Sequence, residues 1–215
     1  MHQVAAFRED RIEVMQQLMR SHPLATLVTA IDGRPDANHL PLLLDPEPAP
    51  QGRLLGHVAR SNPLWREAAG GLDVLVVFQG AQAYVTPSWY ETKRETGAVV
   101  PTWNYAVVHA RCHLTVHDDR DWLHALVTRL TDRHEADRPQ PWAVSDAPGD
   151  YIERMLKAIV GIELRIDAIE GKWKVSQNRP AADRAGVAAG LAAGKTELQR
   201  QMAVLVADGL AKPPV

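Results

Sequence analysis

The stretch WNYAVVHARCHLTVHDD, residues 103–119, decides the architecture. Val108, Ala110, Cys112, Leu114 and Val116 take one side of an alternation; Val107, His109, Arg111, His113 and Thr115 take the other. A period of two sustained over this length is the pattern of a strand with one face on a core. It also disposes of a metal reading of His109, His113 and His117. On a helix, four-residue spacing would bring two of them together. On a strand, four residues span roughly 13 Å at ~3.3 Å each, whereas a zinc–nitrogen bond is only about 2 Å. No metal is expected. Cys112 falls on the apolar face and reads as a small buried side chain.

Working outward, more strands appear. PLATLVTAI (23–31) and ANHLPLLLD (37–45) read as strands joined by DGRPD (32–36), whose Asp-Gly pair favours a tight hairpin. Pro41 lacks an amide donor, which suggests an edge or a bulge. RLLGHVA (53–59) reads as another strand, and SNPLWREAAGG (61–71) as a short helix. DVLVVFQG (73–80) and AQAYVTP (81–87) read as a hairpin turning at Gly80. VGIELRIDAIEGKWKVSQ (160–177) is a late strand.

Helical spacing marks Ile12, Met15, Leu18 and Met19 near the start, and Leu123, Leu126, Val127 and Leu130 in DRDWLHALVTRLTDRHEA (119–136). PGDYIERMLKAI (148–159) is a shorter helix, and residues 180–210 form an Ala-rich helical extension. About seven strands with mostly short connections argue for an α+β class: an antiparallel barrel with packed helices. Strands and helices do not alternate regularly, so a doubly wound parallel sheet is disfavoured. The expectation is a single domain over 1–215.

Composition narrows the function. The chain has 215 residues, 46% hydrophobic and 23% charged, with a net charge of −2 and one cysteine. That is the balance of a soluble globular protein, and a reduced, cytoplasmic setting is the simplest reading. No apolar run is long enough for a membrane span. A nucleic-acid backbone is usually gripped by a basic surplus, and none is present. There is no G-x-G-x-x-G, no P-loop and no G-x-S-x-G, so the commonest phosphate cradles and the serine-hydrolase elbow are missing.

The chemistry-bearing residues gather in four clusters. The first is Asn38 and His39. The second is His57, Arg60, Ser61 and Asn62, where a strand gives way to a helix. There, first-turn amides and the fork of Arg60 could meet a phosphate; helix capping beside a surface arginine explains the same residues equally well. The third cluster flanks a charged loop. Ser88, Trp89, Tyr90 and Lys93 precede it, and Thr102, Trp103, Asn104 and Tyr105 follow. Core filling, a flat heteroaromatic ligand and a protein-binding surface all use such aromatics. The fourth is Trp173, Lys174, Ser176, Gln177 and Asn178 at the end of the late strand.

HPLATLVT, ANHLPLLLD, LLGHVARSNPLW, VLVVFQGAQAYVTPSWY, VPTWNYAVVHA and GKWKVSQNRPAADRAG run in this order from about Phe7 to Leu191. Together they resemble the PaiB-like family of FMN-binding negative transcriptional regulators. The resemblance implies an FMN-binding split barrel, similar to pyridoxamine-phosphate oxidases and flavin reductases. It further implies a homodimer with FMN held between subunits. On that likeness His57 to Asn62 would meet the phosphate, and Asn38 and His39 would approach the flavin. Ser88, Trp89, Tyr90, Lys93 and Thr102 would belong to one wall, with Trp103, Asn104 and Tyr105 entering from the second subunit. Trp173, Lys174 and Gln177 would close the ring edge or ribityl chain. No residue presents itself as a nucleophile or general base. Two functional classes follow: a flavin-dependent regulator, with DNA as a partner by resemblance alone, or an FMN-dependent oxidoreductase of a small planar substrate.

Overall fold

The computed structural model describes residues 1–210. The chain runs through β1 (Arg8–Glu9), α1 (Ile12–Ser21), β2 (Leu24–Ile31), β3 (Arg34–Pro41), β4 (Leu43–Asp45), β5 (Arg53–Ala59), α2 (Leu64–Glu67), β6 (Leu72–Val85), α3 (Glu91–Glu95), β7 (Thr102–His117), α4 (Arg120–Glu135), α5 (Gly149–Leu156), β8 (Ile159–Lys174), α6 (Ala181–Ala192) and α7 (Glu197–Leu210). The strands follow the order β3-β2-β6-β7-β8-β5-β4, with β1 on β8. The sheet is antiparallel and not closed, and the class is α+β, as expected.

The β2–β3 hairpin forms where Asp-Gly was read. Asp32 and Gly33 both have positive φ, 50° and 74°, and Ile31 pairs with Arg34. Positive φ at both central residues is the turn whose twist matches the flanking strands. Two readings change. The strand read over 37–45 is two, because Leu42 leaves the ladder, buries its side chain and gives its N–H to Pro23 O at 2.9 Å. The hairpin at Gly80 does not exist; β6 runs straight through it. A Cβ there would come within 2.9 Å of a Leu18 methyl. Gly80 therefore makes room for α1 and does not turn the chain.

The chain divides into two compact units, each assembled from separated segments. Unit 1 comprises Met1–Leu18, Gln79–His109 and Glu170–Val215; unit 2 comprises Met19–Phe78 and Ala110–Ile169. The boundaries fall inside α1, β6, β7 and β8. Of the domain read over 1–215, residues 211–215 lie outside the described residues.

In unit 1 the inward residues Ala81, Ala83 and Val85 of β6 meet Val187 and Leu191 of α6 and Met202 and Val206 of α7. Full burial of each large aliphatic side chain stabilises by roughly 1.5–3 kcal/mol, which is why the 180–210 extension docks. In unit 2, Leu55 of β5 packs under Leu126 and Leu130 of α4, with Leu43 and Trp122 at the margin. The alternation read in β7 holds over most of its length: Val108, Ala110, Cys112 and Leu114 are buried, and so is Ala106 before them, while Val116 near the strand's end is only half-buried. Burial pushes the Cys112 thiol up to about 12, so it is an inert packing group.

Candidate functional site: a polar crevice in unit 1

In unit 2 the expected residues are largely committed to one another. Asn62 donates its side-chain amide to Asn38 Oδ1 at 2.7 Å and accepts the Leu64 N–H at 2.9 Å. It thereby caps α2, and one of the amides expected to meet an anion is taken. Arg60 donates Nη1 to Asp118 Oδ2 at 2.8 Å and Nη2 to Asp118 Oδ1 at 2.5 Å. Its Nε meets Lys157 O at 2.7 Å, and Nη2 also reaches Ile159 O at 3.0 Å. The pair raises the Arg60 pKa and lowers that of Asp118 through their hydrogen bonds. Ser61 and His39 are exposed.

His57 sits opposite Gly161 in the β5–β8 ladder, so their side-chain directions share a face. A Cβ on Gly161 would strike Trp122 of α4, so His57 lies on the sheet face that α4 covers. Its Nδ1 is buried without a partner, and burial lowers its pKa. Other histidines of the row in β7 take different partners. His113 Nδ1 lies 2.8 Å from Asp73, and His117 stacks on Trp122 with ring centroids 4.4 Å apart.

Unit 1 gathers the third and fourth clusters. Trp89 rests on Gly186 and Gly190 of α6, where any Cβ would collide with its carbonyl or its ring. Tyr90 is 1% exposed and belongs to the core. Ser88 accepts from Lys93 Nζ at 3.2 Å at the surface. On the outward side of β6 and β7, Tyr84 and Trp103 meet edge to face at 6.2 Å, and Trp103 Nε1 donates to Gln82 at 3.1 Å. Lys172 Nζ lies 5.6 Å over the ring of Tyr105.

Past the end of β8 the chain turns sharply. Ser176 has φ 64°, unusual for a residue with a side chain. Gln177 braces the turn, accepting the Val175 N–H at 2.8 Å and donating to Trp173 O. Trp173 packs against the unit 1 core. The turn brings Ser176, Asn178 and Arg179 to Thr102, Asn104 and Lys174, and these six line a crevice of about 50 Å³. Asn104 is fully buried, and its Nδ2 donates to Ser176 Oγ at 2.9 Å. Its Oδ1 is buried and unpartnered. Lys174 Nζ donates to Thr102 Oγ1 at 2.6 Å, and the Arg179 guanidinium lies 4.9 Å over the ring of Tyr90. Among the described residues neither cation is paired with a carboxylate. Arg179 was not singled out from the sequence; its only signal was its place two residues beyond Gln177.

The profile of a family described as "Putative FMN-binding domain" matches residues 1–168. The chain belongs to this family. Among relatives of the FMN-binding domain family, it is 32% identical over 206 residues to the Bacillus subtilis protease synthase and sporulation protein PAI 2, covering 96% of each chain. It is 37% identical over 221 residues to an uncharacterised protein of Emericella nidulans, covering 86% of this chain and 88% of that one. The fold resembles the FAD and heme binding protein of Mycobacterium smegmatis, with a TM-score of 0.56, 19% identity, and 78% and 73% coverage. That places it among split-barrel folds. Among the described residues no helix is long and apolar enough to cross a membrane.

Proposed function

We propose that this protein binds FMN as a homodimer and works as a flavin-dependent oxidoreductase on a small planar substrate. The observation that carries the reading is the aromatic outer side of unit 1. Tyr84 is 50% exposed and Trp103 48%, large flat side chains that a monomer has little reason to leave in water. Beside them the buried Lys172, which donates to His2 O at 3.0 Å, holds its charge 5.6 Å over the ring of Tyr105. A flavin ring suits such faces by stacking, and a second copy of the chain is the natural cover for what remains. Bound FMN would supply the electron-transfer chemistry. The chain's own part is to stack the ring, hold its polar edges and keep water out.

The regulator reading has one support, the family likeness to negative transcriptional regulators. The C-terminal hairpin weighs against a DNA-reading role. Its inward residues are spent on the core, and α7 carries one basic residue, Arg200, paired with Glu197 at 2.9 Å.

The test begins with the purified protein: flavin absorbance, the mass of the released cofactor, and sedimentation. FMN and a dimer are expected; release of FAD, or a monomer that keeps full FMN affinity, overturns those parts. Anaerobic mixing with NADH or NADPH follows. Bleaching at roughly 1–1,000 per second, the common turnover range, supports the oxidoreductase. Failure to bleach, together with a sequence-specific gel shift at stated salt, supports the regulator instead.

A further inference from the structure

We propose that the crevice at the end of β8 is an oxyanion site, one that takes a phosphate, sulfate or carboxylate group. Size comes first. At about 50 Å³ it lies far below the roughly 300–1,000 Å³ of pockets that enclose whole small molecules. It has room for a group, and a three-ring flavin does not fit.

Charge comes second. Lys174 and Arg179 line the crevice, and no lining residue is acidic. Among the described residues Lys174 donates to the neutral hydroxyl of Thr102 and pairs with no carboxylate, and Arg179 lies against an aromatic face. Cations left without a carboxylate are available to an anion, and a guanidinium fork matches oxyanion geometry two oxygens at a time.

The third observation is independent of charge. Asn104 is wholly buried, yet one atom of its amide has no partner. A buried polar group left unpaired keeps its full desolvation penalty, and such an orphan marks a missing partner. A serine hydroxyl both donates and accepts. The 2.9 Å contact with Ser176 therefore survives if the amide turns over. Ser176 then donates to the carbonyl, and the amide N–H₂ takes the place of the unpartnered oxygen on a residue that lines the crevice. An oxyanion selects that orientation and meets two cations, an amide and the rim hydroxyl of Thr102.

The oxyanion has two sources of identical chemistry, the phosphate of bound FMN or an acidic group on a second substrate. The proposal stands on the crevice and does not require the flavin reading. The probe is inorganic phosphate, titrated into the full-length protein as purified and followed by thermal melting at constant ionic strength. The melting point is expected to rise with phosphate, by the linkage of ligand to the folded state. Lys174→Gln should weaken phosphate binding at least tenfold. Asn178→Asp, at an exposed position, sets a carboxylate on the rim and should do the same while the protein still folds. Chloride at matched ionic strength should not substitute.

No phosphate-dependent shift, or equal shifts in wild type and both variants, overturns the site. The titration is then repeated with FMN and with riboflavin. Competition by FMN and not by riboflavin assigns the crevice to the flavin phosphate. Phosphate binding that persists on the FMN-saturated protein assigns it to a second substrate. FMN binding is read separately from flavin absorbance. Its loss would break the flavin reading and leave the crevice result intact.

Discussion

Arg60 and Arg179 stand just past the ends of β5 and β8, one in each unit, and their fates differ. Arg60 makes four hydrogen bonds to Asp118, Lys157 O and Ile159 O. Arg179 has no carboxylate partner among the described residues and lines a crevice beside Lys174. The lesson is that a cation's availability, and not its presence at a strand end, makes an anion site. Unit 2 uses its arginine to tie β5 to the segments that flank it. Unit 1 leaves two cations and a buried amide facing a space.

The largest effect that would test this contrast concerns packing in unit 1. Gly186→Ala puts a methyl group against the carbonyl oxygen of Trp89. Overpacking costs typically 1–3 kcal/mol, and backbone cannot swing aside as a side chain can. Better helix propensity returns about 0.8–1 kcal/mol. A net loss of about 2 kcal/mol is expected, a drop of roughly 4–8 °C in melting point at this size. Gly161→Ala in unit 2 meets the ring of Trp122, which can shift; its loss should be smaller. The reverse order would mean that Trp89 is mobile and not a peg seated on α6.

Next comes the exchange of the two arginines. Arg179→Gln should lower phosphate affinity about tenfold, the 1.4 kcal/mol expected from one charge-assisted contact. Arg60→Gln should change it by less than about twofold. If Arg60→Gln has the larger effect on phosphate, the assignment of roles to the units is wrong.

Arg60→Gln should act on stability instead. The pair is partly exposed, so after solvent screening about 1 kcal/mol is expected. The pH dependence separates the cause. Arg60 depresses the Asp118 pKa below 3.8, so the pair's contribution is full above that value. It is lost as pH falls through the lower folded value. The variant should lose this part of the acid limb, measured by urea melts below pH 4.

The smallest effect belongs to His57. Its folded pKa lies below 6.5 because burial disfavours the charged ring. The unfolded chain then binds more protons, so stability is full above about pH 6.5 and declines below it toward the lowered folded value. His57→Gln should flatten that decline, as seen in melting points between pH 7 and pH 5. An unchanged slope would place the acid sensitivity elsewhere.

Much of the fold was legible in local pattern. The alternation along β7, the helical face of α4 and the Asp-Gly hairpin each depend on residues within one element, where backbone geometry alone sets the period. Gly80 misled because a glycine in a strand can mean a turn or a close neighbour, and the neighbour, Leu18, is distant in sequence. The aromatic cluster concealed a difference of another kind. Trp89, Tyr90, Trp103 and Tyr105 look alike on the page, yet the structure seats Trp89 on a glycine face and Tyr90 in the core. It leaves only Trp103 and Tyr105 of these four on the outer side of β7.

The sequence by itself determined the strand and helix inventory, the family, and the residue types from which any ligand site must be drawn, because propensity, period and motif are carried by neighbours along the chain. Only the tertiary structure decided which of those residues are free. Asp118 neutralises Arg60 from 58 residues away, while the left-handed turn at Ser176 carries Arg179 to Asn104, in a crevice with no acidic lining residue. Whether a charge is available depends on what else folding brings within about 4 Å of it, and Coulomb energy at that range outweighs anything a motif records.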